Sequence, residues 1–174
     1  MAMVTPARLN ALCNINRWGG WTVRPFSVAE HCAIGAATLW WFKRPDWQVR
    51  AFWLHDMHET EHVGDVPSPD KARYMNNEYH AAVDLFDLPL GNQAGLSRGW
   101  QKHPAIKKMD MLLRQVENDY IASQRDPDLP TPDYENDPVA RKVRESVMLG
   151  TFSTHEKVFE AWERDKMWEV VGHE

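Results

Sequence analysis

The chain has 174 residues and a formal net charge of -5 at neutral pH. That length is typical of one domain, here residues 1–174, with enough chain to bury a sizeable core. The acidic balance excludes a general nucleic-acid binder or membrane-surface binder, because either needs a basic face, but it allows a small anionic substrate in a local basic pocket. Two cysteines, Cys13 and Cys32, and the lack of a signal-peptide or membrane-spanning pattern predict a cytoplasmic protein.

The first predicted element is a short helix over residues 5–15, and a loop over 16–26 follows it because a glycine pair and a proline interrupt any helical period. A helix is then predicted over residues 27–42, where Ser27 and Glu30 form a capping box. Apolar residues at helical spacing give this segment a single stripe for packing. The stripe consists of Val28, Cys32, Ala36, Leu39 and Trp40.

The next predicted helix covers residues 44–63, with Asp46 as its N-cap. Gly64 ends it, and residues 65–70 form a proline-rich turn before a further helix over 71–86. The apolar face of the 44–63 helix is supplied by Val49, Phe52 and Trp53.

In the second half, residues 88–100 are predicted as a loop and residues 101–124 as a long helix that begins near Pro104. A surface loop rich in proline and aspartate is predicted over 125–138. The remaining elements are helices at 138–149 and 154–170. No alternating strand pattern of useful length occurs, so we expect a single all-α bundle of roughly six helices.

Residues 55–65 read HDMHETEHVGD and contain two overlapping metal-enzyme motifs. His58, Glu59 and His62 fit the H-E-x-x-H pattern of zinc proteases, which places two histidines on one helix face. The context disfavours this motif, since Gly64 and two prolines end the helix before a third ligand can follow. We therefore interpret His58 and His62 as residues of a solvated helix face.

The other motif is the doublet His55-Asp56, which means little alone because chance produces such pairs readily. It gains weight from His31 on an earlier predicted helix and Asp110 on a later one. Two imidazoles and two carboxylates form a mixed ligand set with room for water, which suits a divalent ion such as Mn, Co, Fe, Mg or Zn, and less obviously a closed structural zinc site. Glu59 follows His55 by four residues, so a continuous helix would place both on one face.

Five short segments, INRW, SVAEHC, HDMHE, GDVPSPDK and KKMD, occur in this order between residues 15 and 110. In these segments the chain resembles the HD-domain phosphohydrolases, in particular the YfbR-type 5′-deoxynucleotidases and small phage enzymes that act on dATP. The resemblance implies a divalent metal ion held by His31, His55, Asp56 and Asp110. It also implies a helical HD fold and, for a phage-encoded chain, the host cytoplasm.

The same resemblance implies roles for five further residues. Glu59 would be catalytic, with Asp65 near the sugar or the attacking water. Arg17 would hold phosphate, Trp18 would lie against base or sugar, and Lys71 would be a second phosphate contact. The chain departs from the family in one respect: the stretch from Glu59 to Gly64-Asp65 is one residue longer. This difference affects the placement of Asp65 and Lys71.

The expected activity is metal-dependent hydrolysis of the 5′-phosphoester of a deoxynucleotide. The phosphorus product is phosphate from a monophosphate, or triphosphate from a triphosphate such as dATP. The expected partner is therefore a small nucleotide, and we expect no binding to a nucleic-acid polymer or a membrane. Enzymes of this family are commonly homo-oligomers, so the resemblance also implies a homo-oligomer. The alternatives are a nucleotide-sensing HD module that does not cleave its ligand and, with less support, the zinc protease.

Overall fold

The computed structural model describes residues 4–61 and 77–171. Within those residues the chain is all-helical, as predicted, with eight α-helices, three short 3₁₀ turns and only isolated β-bridges. The helices are α1 (Pro6–Asn14), α2 (Val28–Trp41), α3 (Asp46–Leu54), α4 (Asn77–Gln93), α5 (Pro104–Tyr120), α6 (Pro138–Leu149), α7 (His155–Arg164) and α8 (Met167–Val171). No described helix has the length and apolar character needed to cross a membrane.

Helix α2 is the centre of the bundle and packs against α1, α3, α5, α6 and α7. It is buried on nearly all sides, so the prediction of a single apolar stripe is wrong. The small side chains of its middle turns allow this close approach from several directions. Only its last turn reaches solvent, where Trp40 is 53% exposed. The Ser27 hydroxyl caps the helix by accepting from the Glu30 amide at 3.1 Å, whereas the Glu30 carboxylate pairs with Arg24 and not with the cap.

The closest approach of α2 and α3 occurs at Gly35. A Cβ atom on Gly35 would lie 2.1 Å from the ring of Phe52, so only glycine fits there. The Phe52 ring in turn lies against the His55 imidazole, with 4.3 Å between the two ring centroids. Gly35 therefore allows the approach that brings α2 close to the end of α3.

We expect the substitution Gly35→Ala to destabilise the protein by about 1–3 kcal/mol, because Phe52 must move in a packed core. This loss outweighs the gain of about 1 kcal/mol that alanine brings to a helix interior. Thermal unfolding should show a Tm lower by about 3–8 °C. As a control, Ala37→Ser changes a half-buried position of the same helix and should shift Tm far less. An unchanged or raised Tm for Gly35→Ala would contradict the packing described here.

The predicted helix over 44–63 is too long. Helix α3 begins at Asp46, which follows the cap residue Pro45 and is not itself the N-cap, and it ends at Leu54. The His55 side chain explains the end, because its Nδ1 donates to the Phe52 carbonyl oxygen at 2.7 Å and so competes for a helical acceptor. The chain continues as a 3₁₀ turn over Met57–Thr60.

Two other boundaries differ from the prediction. Helix α4 passes through Pro89 and ends at Gln93, in a region predicted as a loop; residues 71–76 of the predicted helix lie outside the described part. Pro89 cannot donate to the carbonyl of Leu85, but Leu85 is 77% exposed, so this occurs on the solvent side of the helix. The predicted helix 154–170 is split at Asp165, whose carboxylate accepts from the Trp53 indole at 2.8 Å.

Candidate metal centre

The four residues predicted to hold an ion come together from three parts of the bundle. His31 is on α2, His55 and Asp56 follow α3, and Asp110 is on α5. The imidazoles are buried, while the side chains of Asp56 and Asp110 keep 15% and 30% of their surface exposed. The carboxylates therefore form the open side of the cluster and the imidazoles its floor.

The Nδ1 atom of each imidazole, which faces away from the cluster, donates a hydrogen bond to an oxygen acceptor. Nδ1 of His31 donates to Glu117 Oε1 at 2.5 Å, and Nδ1 of His55 donates to the Phe52 carbonyl oxygen. When neutral, both rings then direct an Nε2 lone pair into the cluster, where the two Nε2 atoms lie 3.3 Å apart. Two lone pairs facing each other repel unless a cation lies between them. This arrangement, in which the far nitrogen donates to a carboxylate or carbonyl, is usual for metal-bound histidine.

The distances from each imidazole to the two carboxylates fit one ion. His31 Nε2 lies 3.4 Å from Asp110 Oδ1 and 4.0 Å from Asp56 Oδ2. His55 Nε2 lies 3.2 Å from Asp56 Oδ2 and 3.8 Å from Asp110 Oδ1. Ligands bound at about 2.0–2.2 Å from one centre lie no more than about 4.4 Å apart. The buried His/Asp cluster can therefore hold a metal ion, as the ligand pattern predicted.

Cys32 is also close to the cluster, with its Sγ 3.9 Å from His55 Nδ1. That nitrogen already donates to a backbone carbonyl, so the sulfur lies on the outer side of the ring. Burial raises the pKa of the Cys32 thiol, which keeps it neutral. We therefore exclude Cys32 from the ligand set.

The electrostatics of the cluster favour positive charge in its centre. Burial and Arg17 lower the pKa of His31, but Glu117 and Asp110 outweigh them and raise it to about 9. Burial likewise opposes charge on His55, whereas Asp56 and Asp110 raise its pKa to about 9. Burial would raise the pKa of both aspartates, but the imidazoles hold each carboxyl well below its usual range. The carboxylates thus stabilise a cation, whether a proton or a metal ion.

We expect the stabilisation of the protein by Mg²⁺ to grow with pH. In the ion-free protein the raised pKa of His31 and His55 contributes stability fully below the ordinary value of 6.5, and this stability is lost as pH rises towards about 9. An ion needs the neutral imidazoles, so it competes with protons. The Tm difference with and without Mg²⁺ should therefore be larger near about pH 8.5 than near about pH 6.5. An equal difference at both would argue against imidazole ligands.

Arg17 and Trp18 lie beside the cluster, although the structure does not test their predicted contacts with substrate. Arg17 is buried and donates from Nε to Glu117 Oε2 at 3.0 Å and from Nη1 to Asp56 Oδ2 at 3.4 Å. The Trp18 indole donates to the same Glu117 oxygen at 3.0 Å. Trp18 has a left-handed backbone with φ of 58°, which costs a non-glycine residue about 1 kcal/mol or more. The predicted loop therefore contains an ordered turn directed at the ion site.

Glu117 is the main residue that the sequence reasoning missed. It is completely buried and uses both carboxylate oxygens, one on His31 and the other on Arg17 and Trp18. A signal for it exists, because Glu117 follows Asp110 by seven residues, which is two helical turns and hence the same face of α5. A buried acid two turns from a candidate ligand is a natural partner for a ligating histidine.

Glu59 is buried beside the cluster, but not for the predicted reason. The prediction that Glu59 and His55 share a helix face is wrong, because α3 ends at Leu54. Glu59 lies in the 3₁₀ turn that follows, where its amide donates to the Asp56 carbonyl at 3.0 Å. Carboxylate oxygens of Glu59 and Asp56 and a ring nitrogen of His58 all lie within 4.8 Å of one another. The tight turn therefore still brings Glu59 to the rim of the site.

The predicted solvated face is wrong for His58, which is buried with Nδ1 3.6 Å from Asp87 Oδ1. Residues 58–60 belong to the 3₁₀ turn, so this part of the H-E-x-x-H segment is not an α-helix. His62 lies outside the described residues, as do Asp65 and Lys71. The structure therefore says nothing about the second phosphate contact or the predicted aspartate near the sugar.

Comparison of the chain with protein-family models, with curated proteins and with solved structures gives no match. A proposal about function therefore rests on the site and on the five sequence segments described above. Chemically, that site offers His31, His55 and Asp110 as one group of ion ligands, with Asp56 beside His55 and a guanidinium at the edge. The partly exposed carboxylate side leaves room for water and for one further oxygen ligand.

Proposed function

We propose that the protein is a divalent-metal-dependent HD-type phosphohydrolase that cleaves the 5′-phosphoester of deoxyribonucleotides. The observation that carries the proposal is the facing pair of Nε2 atoms of His31 and His55, with Asp56 and Asp110 beside them. A mixed set of imidazoles and carboxylates with an open side is the kind of site that supports metal-assisted hydrolysis. The five sequence segments shared with the HD phosphohydrolases support the nucleotide as substrate.

His31, His55, Asp56 and Asp110 would hold the ion. A divalent ion there would supply Lewis-acid chemistry, polarising a phosphoryl oxygen and increasing the acidity of water. When the imidazoles are neutral, the Phe52 carbonyl and Glu117 hold both rings in the tautomer that leaves Nε2 without a proton. Once each ring has lost its second proton, both Nε2 atoms would therefore be ready to bind an ion.

Glu59 is the group that we assign to the attacking water. Its side chain is 2% exposed and lies next to Asp56, so it reaches the open side of the ion site from a nearly dry position. A carboxylate there can orient the water and accept its proton as the bond to phosphorus forms. The leaving group is the 5′ oxygen of the deoxynucleoside.

Arg17 and Trp18 are assigned to substrate binding. The Arg17 guanidinium is fixed between Glu117 and Asp56, which places a cation at the edge of the ion site where a phosphate would be held. Trp18 is half-buried in the same turn and offers an aromatic face for base or sugar. A monophosphate and a triphosphate share the part of the substrate that these two residues would contact.

The test is incubation of the purified protein with all deoxynucleoside and ribonucleoside mono-, di- and triphosphates in Mg²⁺, Mn²⁺ or Co²⁺, with products separated by chromatography. We expect deoxynucleoside together with phosphate or triphosphate, and no product when a chelator is present. An Asp110→Asn preparation purified in parallel controls for contaminating phosphatases. Binding of nucleotides without turnover would replace the proposal by a sensing module, and metal-dependent casein cleavage by a protease.

A further inference from the structure

Glu117 contacts both the ion ligand His31 and the turn at residues 17–20 through its two carboxylate oxygens. Its Oε1 accepts from His31 Nδ1 at 2.5 Å. Its Oε2 accepts at 3.0 Å from Arg17 Nε and at 3.0 Å from the Trp18 indole.

Arg17 also contacts the ion site directly, through Asp56. Arg17 Nη1 lies 3.4 Å from Asp56 Oδ2, and that oxygen lies 3.2 Å from His55 Nε2. The Arg17 guanidinium therefore contacts two carboxylates. One is Glu117, which holds the ligand His31, and the other is Asp56, which is itself a candidate ligand. Any change in charge at the ion site acts on Arg17 from both ends.

The backbone on either side of the turn is held in place. The Arg17 amide donates to the Phe26 carbonyl at 2.9 Å, and the Ser123 amide donates to the Trp21 carbonyl at 3.0 Å. Between these points Trp18 adopts its left-handed conformation. With the ends fixed, the orientation of the Trp18 indole depends on the acceptor that Glu117 offers.

We propose that Glu117 is a positioning residue that couples ion occupancy at His31 to the orientation of Arg17 and Trp18. A cation on His31 Nε2 makes Nδ1–H a stronger donor, which withdraws negative charge from the carboxylate that Arg17 and Trp18 share. By thermodynamic reciprocity, a ligand held by Arg17 and Trp18 binds more tightly when the ion is present, and the ion binds more tightly when that ligand is present. The inference rests on the proposed ion site, but it is independent of the bond that is cleaved.

The first experiment follows the indole N–H resonances in two-dimensional NMR spectra during titration with Mg²⁺ or Zn²⁺ alone, with binding measured in parallel by calorimetry. Trp18→Phe and Trp21→Phe assign the two indoles of the turn. We expect the Trp18 resonance to shift as the ion binds. The indole of Trp21, which is 67% exposed, should not move.

The Glu117→Gln variant should lower ion affinity about 10- to 100-fold and, at saturating ion, remove the shift of the Trp18 resonance. Glu30→Gln is the matched control, because Glu30 is also buried and paired with an arginine, but its partner is Arg24. It should leave the Trp18 shift intact. A Trp18 resonance that responds equally in Glu117→Gln and in the wild type overturns the coupling, and so does a wild-type resonance that does not respond.

A second measurement does not depend on the folding of Glu117→Gln. Trp18→Phe keeps an aromatic side chain but removes the indole donor, so Glu117 keeps more negative charge for His31, and we expect ion affinity to rise about 5-fold or more. Trp21→Phe in the same turn should leave the affinity unchanged, and equal affinities of the two variants would overturn the inference. Failure to bind either ion would overturn this inference and the proposed function together, whereas binding without a Trp18 effect would overturn the coupling alone.

Discussion

Replacing Asp110 with asparagine is expected to weaken ion binding at least about 100-fold and to lower kcat/KM for nucleotide hydrolysis about 1000-fold or more. The substitution keeps the shape of the side chain but removes the charge that attracts a cation. Asp110 Oδ1 lies 3.4 Å from His31 Nε2 and 3.8 Å from His55 Nε2, so the neutral amide also presents a weaker ligand between the imidazoles. Because 30% of the side chain is exposed, we expect the fold to survive.

Calorimetric titration with Mn²⁺ and initial rates on the substrate found by the panel measure both effects. Asp84→Asn is the control, because it makes the same chemical change at an exposed position on α4. It should bind the ion and turn over substrate like the wild type. Wild-type ion affinity in Asp110→Asn would show that the four-ligand set is wrong, whereas lost affinity with full activity would separate the ion from the reaction.

Replacing Glu59 with glutamine is expected to lower kcat about 10²- to 10⁴-fold while ion affinity changes little. Glutamine has the same size but cannot accept a proton from the attacking water. Glu59 is next to Asp56 but is not one of the four ligands, so the two variants Glu59→Gln and Asp110→Asn should differ in ion binding. The loss should fall on kcat more than on KM, since the proton moves only in the reaction step.

Glu61→Gln provides a closely matched control for Glu59→Gln. Glu61 is exposed at the end of the same 3₁₀ turn and pairs with Arg8 at 2.6 Å. We expect its removal to leave kcat unchanged. Full activity of Glu59→Gln would refute the assignment of Glu59 to the water, and equal losses in both variants would indicate damage to the turn and not loss of a base.

The sequence allowed the candidate ion ligands to be predicted because two lie on helices with clear periodicity and the other two directly follow such a helix. His31 and Asp110 could be placed on separate helices from capping residues and apolar spacing, and both helices are present. All-α character followed from the same patterns. The residues that could hold an ion were therefore predictable without knowing how the helices cross.

The parts that could not be predicted depend on contacts between distant segments. The end of α3 at Leu54 is set by the hydrogen bond from His55 to Phe52, which periodicity cannot reveal. The left-handed backbone conformation of Trp18 depends on the backbone contacts that hold the segments on either side of it, because a tryptophan side chain does not favour this conformation. The role of Glu117 was hidden because its partners Arg17 and Trp18 precede it by about a hundred residues.

The ligand set also has a consequence for how the chain is held together. His31 and Asp110 are separated by 79 residues, and the Arg17 to Glu117 contact spans 100. An ion bound by His31 and Asp110 would therefore act as a removable cross-link that closes a long loop of chain. Closing a loop of that length costs the chain a large amount of conformational entropy. If an ion is bound there as proposed, chelation should increase hydrogen exchange most in α5, which carries both Asp110 and Glu117, so the ion would stabilise the fold in addition to its proposed role in the reaction.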